Sequence, residues 1–171
     1  MRRWVESVVE PYVNEWEDAK KVPDNIYKQM GERGYLAGVL GDNYAAAACY
    51  TTLRVKSVPP EKWDIFHEML LMDELSRGAA SAGVVWNLIG GLTIGCPPVI
   101  KCGKKPLLKR ILPGILAGDK RICLAITEPG AGSDVANLTC EAKLSEDGIH
   151  YRIIWHISPP FRPPPKGDNP T

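Results

Sequence analysis

The sequence has no excess of either charge, no Cys-x-x-Cys pair and no unbroken apolar run near the roughly 18–20 residues that a bilayer crossing needs. With 21 Lys and Arg against 20 Asp and Glu, the formal charge is +1, which removes the long-range field of a nucleic-acid binder or a funnel for acidic substrates. Only local charged patches remain open to function. The cysteines (Cys49, Cys96, Cys102, Cys123, Cys140) are odd in number and unpaired in spacing, so neither a disulfide framework nor a zinc site is indicated. The expectation is reduced, mostly buried thiols in an intracellular compartment. Residues 1–20 hold five acids (Glu6, Glu10, Glu15, Glu17, Asp18), unlike a secretory or transit peptide.

What is present is an ordinary apolar content, 44% over 171 residues, enough for a core without metals or disulfides. Trp4, Val5, Val8, Val9, Tyr12, Val13 and Trp16 recur at three and four, predicting an amphipathic helix with a kink or break at Pro11. Val22-Pro23-Asp24 restarts the chain into a second helix that stops at Gly31 or Gly34. Residues 41–60 read as a loop with one helical turn. Glu61 to Arg77 predicts a helix apolar on more than one side and therefore largely buried, and Ala79 to Ile94 predicts a sixteen-residue core helix. Pro97-Pro98 and Gly103 are expected to separate two short helices, Val99 to Cys102 and Pro106 to Leu116. Trp63 and Trp86 are expected in the core.

After residue 120 the period changes to that of strands. Arg121 to Thr127, Leu138 to Leu144 and Ile149 to Ile154 read as strands, with Asp147-Gly148 as a tight turn. The expected fold class is α+β: a helical domain over 1–120, an incomplete antiparallel β domain over 121–157, and a disordered Pro-rich tail over 158–171. Six of the fifteen prolines lie in those last fourteen residues.

One segment carries chemistry. In Thr127-Glu128-Pro129-Gly130-Ala131-Gly132-Ser133-Asp134, two glycines and several short oxygen-bearing side chains follow an apolar run. Glycines let successive N–H groups converge on an anion, although a bare turn has the same composition. The run is not a P-loop, since no Gly-Lys-Ser/Thr closes it, and Val135 replaces the third glycine of a dinucleotide fingerprint. Glu128 and Asp134 read as turn and cap residues. His67, His150 and His156 lack partners at triad or ligand spacing, so no catalytic residue and no metal ligand is assigned. Lys101, Lys104, Lys105, Lys109 and Arg110 form a basic run that either faces a phosphate or is a solvated helix face.

Cys123-Leu-Ala-Ile-Thr-Glu-Pro-Gly-Ala-Gly-Ser-Asp-Val-Ala-Asn-Leu138 closely resembles the flavin-binding signature of the acyl-CoA dehydrogenases. Residues 23–38, 73–77 and 98–119 resemble further segments of that family in the same order. The resemblance implies FAD as cofactor, with Leu124, Ile126 and Thr127 toward the flavin ring, Gly132 and Ser133 at the pyrophosphate, and Ser133 also near the acyl-CoA substrate. It implies oxidation of acyl-CoA thioesters to 2,3-enoyl-CoA, an electron-acceptor flavoprotein as partner, and a homo-oligomer in the intact family, with no nucleic acid and no membrane span. The family's glycine-rich "YGGxG" has no counterpart in residues 41–60, and Trp155-His156-Ile157-Ser158 stands where an "NGxKxWIT" strand is expected. The abrupt change of composition after Ile154 predicts a truncated member that stops before the helical bundle bearing the family's catalytic glutamate, with a tail from a shifted frame or retained intron. A non-catalytic helical scaffold and an acyl-CoA oxidase fragment are the alternatives.

Overall fold

The computed structural model describes residues 1–154, which fall in two compact units, residues 1–124 and the part beginning at Ala125. The expectations for Trp155 to Ser158, for His156 and for the tail lie outside the described residues.

The first unit is helical. Helix α1 covers residues 2–18 but is not uniform: Val5–Val9 is wound as a π-helix and Glu10–Tyr12 as a 3₁₀ turn before Val13–Asp18 resumes α geometry. The distortion follows from Pro11, which has no N–H to give to the preceding turn. Helix α2 (Asp24–Glu32) ends before Gly34, whose φ of 73° starts the short α3 (Tyr35–Gly38). One 3₁₀ turn and α4 (Tyr44–Ala48) occupy the loop region. Helix α5 (Ile65–Ala79) is opened by Asp64, whose carboxylate accepts from the amides of Phe66 and His67 while the His67 ring nitrogen lies 3.3 Å from the Asp64 amide, a capping box. Helix α6 is continuous over Ala82–Cys102, with Trp86–Gly90 wound as a π-helix, and α7 is Lys105–Leu116.

Every long helix contributes to one core. Val5 and Val9 from α1, Met30 from α2, Tyr44 from α4, Leu75 from α5, Leu88 and Cys96 from α6, and Leu112 and Leu116 from α7 are all sealed from solvent. The Tyr44 hydroxyl accepts from the Val55 amide at 2.9 Å, so even this buried phenol has its hydrogen bond. Burial pushes the Cys96 thiol up to about 11, leaving it an inert core group. Cys49, Cys102, Cys123 and Cys140 are exposed, contrary to the expectation of mostly buried thiols. Each lies at a helix end or in connecting chain, where no second layer covers it.

Three expectations for the helices are corrected. Helix α5 buries only the stripe Leu71, Leu75, Gly78 and Ala79, while Ile65, Phe66, Met69 and Leu70 stay exposed, Phe66 at 66%. Its first two turns present their apolar side away from the core. Trp86 is 64% exposed because it lies opposite the stripe Val84, Leu88, Leu92 and Cys96, and its ring lies instead over Gly90 of its own helix. Pro97 and Pro98 do not interrupt α6. Thr93 and Ile94, which lose the proline donors, sit on its partly exposed side, and burial of Leu92 and Cys96 holds the helix through the gap. At 21 residues and a mean hydropathy of 1.5, α6 is long and apolar enough to cross a bilayer by length and composition, which sixteen residues were not. Its apolar face is committed to the core described above.

Residues 121–127 form no ladder, which overturns the first expected strand. Up to Leu124 this segment is laid against helix α6 instead. A Cβ on Gly91 would come within 2.5 Å of the Ile122 carbonyl oxygen, and one on Gly95 within 2.9 Å of the Cys123 carbonyl carbon. Arg121 fixes the start of the segment by stacking 3.7 Å over the Tyr27 ring and bonding Asp24 at 2.6 Å. The Tyr27 hydroxyl in turn lies 2.5 Å from the backbone and side-chain oxygens of Asn87.

In the second unit, β1 (Glu141–Leu144) pairs antiparallel with β2 (Tyr151–Ile154), Glu141 opposite Ile154 and Leu144 opposite Tyr151. The turn between them is built on Asp147, which accepts from Ser145 Oγ and the Ile149 and His150 amides, and on Gly148 at φ 69°. Those hydrogen bonds, led by Ser145, hold the Asp147 carboxyl well below the usual carboxylate range. The helical unit with this antiparallel pair is the α+β layout expected.

Replacing Gly91 or Gly95 by Ala is expected to cost about 1–3 kcal/mol in urea unfolding, because the new methyl must displace backbone. Limited proteolysis should also cut sooner near Leu124. A second outcome concerns acid stability. Arg2 and Arg77 both hydrogen-bond Glu74 and hold its carboxyl at about 2 instead of 4.5, tying α1 to α5. That stabilisation is complete above pH 4.5 and is lost as pH falls toward 2, so Glu74→Gln should lower stability at neutral pH and flatten its pH dependence in that window, the two proteins converging near pH 2.

Candidate functional site

The glycine-containing run forms a tight loop closed by its own backbone. The Glu128 amide donates to the Ala131 carbonyl at 2.7 Å and the Ala131 amide returns to Glu128 at 3.2 Å. Thr127 and Gly132 flank this isolated antiparallel bridge, with Ser133 next along the chain. Glu128 is 4% exposed, and its carboxylate accepts from both the amide and the hydroxyl of Thr139 at 2.7 and 2.6 Å. Charge-assisted bonds of this kind are about twice as strong as neutral ones, so they pin the loop to the chain eleven residues on. Asp134 holds the side-chain amide of Asn137. Both acids therefore serve the turn, as their neighbourhood predicts.

The amides of Gly130, Gly132 and Ser133 have no acceptor among the described residues. Gly130 and Gly132 differ from the helical glycines in a second respect. Neither has positive φ, and an added Cβ at either would meet nothing within 4 Å. The fold of the described chain requires glycine at neither position. What their missing side chains provide is unobstructed access to a row of exposed N–H donors.

Of the five positions predicted to hold a cofactor, Thr127, Gly132 and Ser133 flank the bridge, and Ile126 is half-buried just before it. Leu124 is the last residue of the helical unit, lying against Gly95. The residue missed by sequence reasoning is Thr139, which read only as a strand residue. It hydrogen-bonds Glu128, and the ladder accordingly begins at Glu141 and not at Leu138. Likewise β2 begins at Tyr151, since Ile149 and His150 are held by Asp147. His67 and His150 each contact the aspartate three residues before them, at 2.6 and 2.7 Å. Among the described residues no group of three or more His, Cys, Asp or Glu could hold a metal ion.

Residues 1–119 match the family model of the acyl-CoA dehydrogenase N-terminal domain. The chain belongs to the acyl-CoA dehydrogenase family. It is 34% identical over 153 residues to acyl-CoA dehydrogenase AFT10-1 of Alternaria alternata, covering 90% of this chain and 35% of that protein. To acyl-CoA dehydrogenase apdG of Emericella nidulans it is 38% identical over 145 residues, covering 81% and 32%. Among solved structures, an acyl-CoA dehydrogenase of Bacillus anthracis complexed with FAD superposes with a TM-score of 0.61 at 25% identity, over 89% of this chain and 23% of that one. The chain thus spans about a third of the length of the curated acyl-CoA dehydrogenases it matches.

Since Glu128 is the loop's anchor, Glu128→Ala is expected to raise hydrogen exchange at the Thr139 and Ala131 amides at least about tenfold while leaving the helical amides unchanged.

Proposed function

We propose that this chain carries the helical domain and flavin-binding turn of an acyl-CoA dehydrogenase. Its intact form would oxidise acyl-CoA thioesters to 2,3-enoyl-CoA. The observation that carries this reading is the open pair Gly130 and Gly132, glycines that the fold of the chain does not itself need, beside donors that nothing in the described chain uses. A diphosphate suits that row of N–H groups.

In this reading FAD supplies the hydride acceptor. The amides of Gly132 and Ser133 and the Ser133 hydroxyl bind its pyrophosphate, while the Thr127 hydroxyl and the backbone of Leu124 and Ile126 face the flavin ring. Ser133 also approaches the acyl-CoA. The reaction further needs a base within hydrogen-bond reach of the proton α to the thioester. The two carboxylates of the turn are committed to Thr139 and to Asn137, so neither is free for that work. We assign no catalytic base in this chain and expect no turnover from it alone. An electron-acceptor flavoprotein and a homo-oligomeric assembly belong to the intact enzyme in this proposal. The other reading, a scaffold that kept the helices and lost the chemistry, draws on the hairpin, whose Leu144, Ile149, Tyr151 and Ile153 are exposed and whose outer edges are unpaired among the described residues.

FAD titrated into the purified 171-residue chain is expected to bind with a change in flavin fluorescence and to dissociate on gel filtration. Acyl-CoA should not bleach it. Gly132→Val should weaken binding about tenfold or more, the worth of a lost charge-assisted bond, without shifting thermal unfolding. A folded chain with no flavin binding would support the scaffold, and unfolding by Gly132→Val would show the glycine to be structural.

A further inference from the structure

A concavity in the helical unit is lined by two cations, Arg54 and Lys109. It is open to solvent, spans about 540 Å³ beside Lys109 and Pro113 of α7, and has Cys49, Tyr50, Thr51, Thr52 and Arg54 on its wall, with no carboxylate. The volume is that of a site for a small organic molecule. In a chain of net charge +1, two adjacent cations are a local feature and not the edge of a general basic field.

The donors are arranged and unspent. Arg54 gives one guanidinium nitrogen to the Ala48 carbonyl at 3.0 Å, which fixes the side chain and leaves further N–H groups available. Neither Arg54 nor Lys109 takes part in an ion pair among the described residues. Thr51 Oγ1 accepts from the Leu53 amide at 3.0 Å, and among the described residues neither the Thr51 nor the Thr52 hydroxyl donates a hydrogen bond. Lys109 has no acid three or four residues away on its own helix to pair with, since α7 contains three cations and no acid. Lys105, one turn before Lys109, extends the same positive stripe.

We propose that this concavity binds the phosphate end of an organic phosphate, a phosphomonoester or diphosphate. Arg54 and Lys109 are its charge partners, and Thr51 and Thr52 donate hydroxyl hydrogen bonds to its oxygens. The basic run over residues 101–110 then has a function at one point, Lys109, and is solvated elsewhere.

Cys49 on the wall provides the readout. Inorganic pyrophosphate, added to the full chain at low salt, is expected to slow alkylation of Cys49, followed peptide by peptide, and to leave Cys102 and Cys140 unaffected. Sodium chloride at matched ionic strength should not protect. Lys109→Gln should weaken the protection about tenfold and Thr52→Val several-fold, whereas Lys101→Gln should change it less than about twofold. Better protection by ADP than by pyrophosphate would assign the site to a nucleotide, and better protection by glycerol 3-phosphate would assign it to a simple phosphomonoester. No protection at millimolar pyrophosphate, or equal losses from Lys109→Gln and Lys101→Gln, would overturn the proposal.

Discussion

The helical unit depends on backbone lying directly against backbone along α6. Gly91 and Gly95 stand one turn apart, and the carbonyls of Ile122 and Cys123 occupy the space their side chains would fill. A single methyl at either place would lift the segment off the helix, since packed interiors give way by only a few tenths of an ångström. The Arg121 guanidinium, held between the Tyr27 face and Asp24, fixes where the segment begins. This seam sets the path by which the chain leaves the helices, and hence the place of Leu124.

The same requirement explains why an apolar, β-favouring run is not a strand here. Residues 121–127 have the composition of one, but a strand needs a partner for its hydrogen bonds, and up to Leu124 the neighbour is a helix, which offers no strand edge to pair with. In the second unit the pairing is short and the faces are bare. Four residues on each side, nearly all exposed, make a hairpin that draws little from burial. Its order comes from local polar contacts, with Asp147 at one end and the Glu128–Thr139 bonds holding the preceding loop.

Glycine serves three unlike ends in one chain, and only the surroundings tell them apart. Gly34 supplies a left-handed turn, Gly91 and Gly95 admit a neighbouring backbone, and Gly130 and Gly132 face open space with ordinary φ. The third kind is the one that bears on chemistry. Sequence alone could not separate it from the bare turn that its composition also allows.

What the sequence determined by itself was whatever depends on residues close along the chain. The proline distortion of α1, the stop at Gly34, the Asp147-Gly148 turn and the run from Thr127 to Asp134 all rest on local sterics and hydrogen bonds, and each stands where the residues put it. The tertiary structure decided whatever depends on a distant neighbour. Only packing could show that α5 buries a single stripe, that Trp86 faces outward and that α6 passes through Pro97-Pro98. The same holds for Glu128 finding its partner at Thr139. Hydrophobic periodicity says that a face is apolar, but which faces meet is fixed by the fit of all the helices at once.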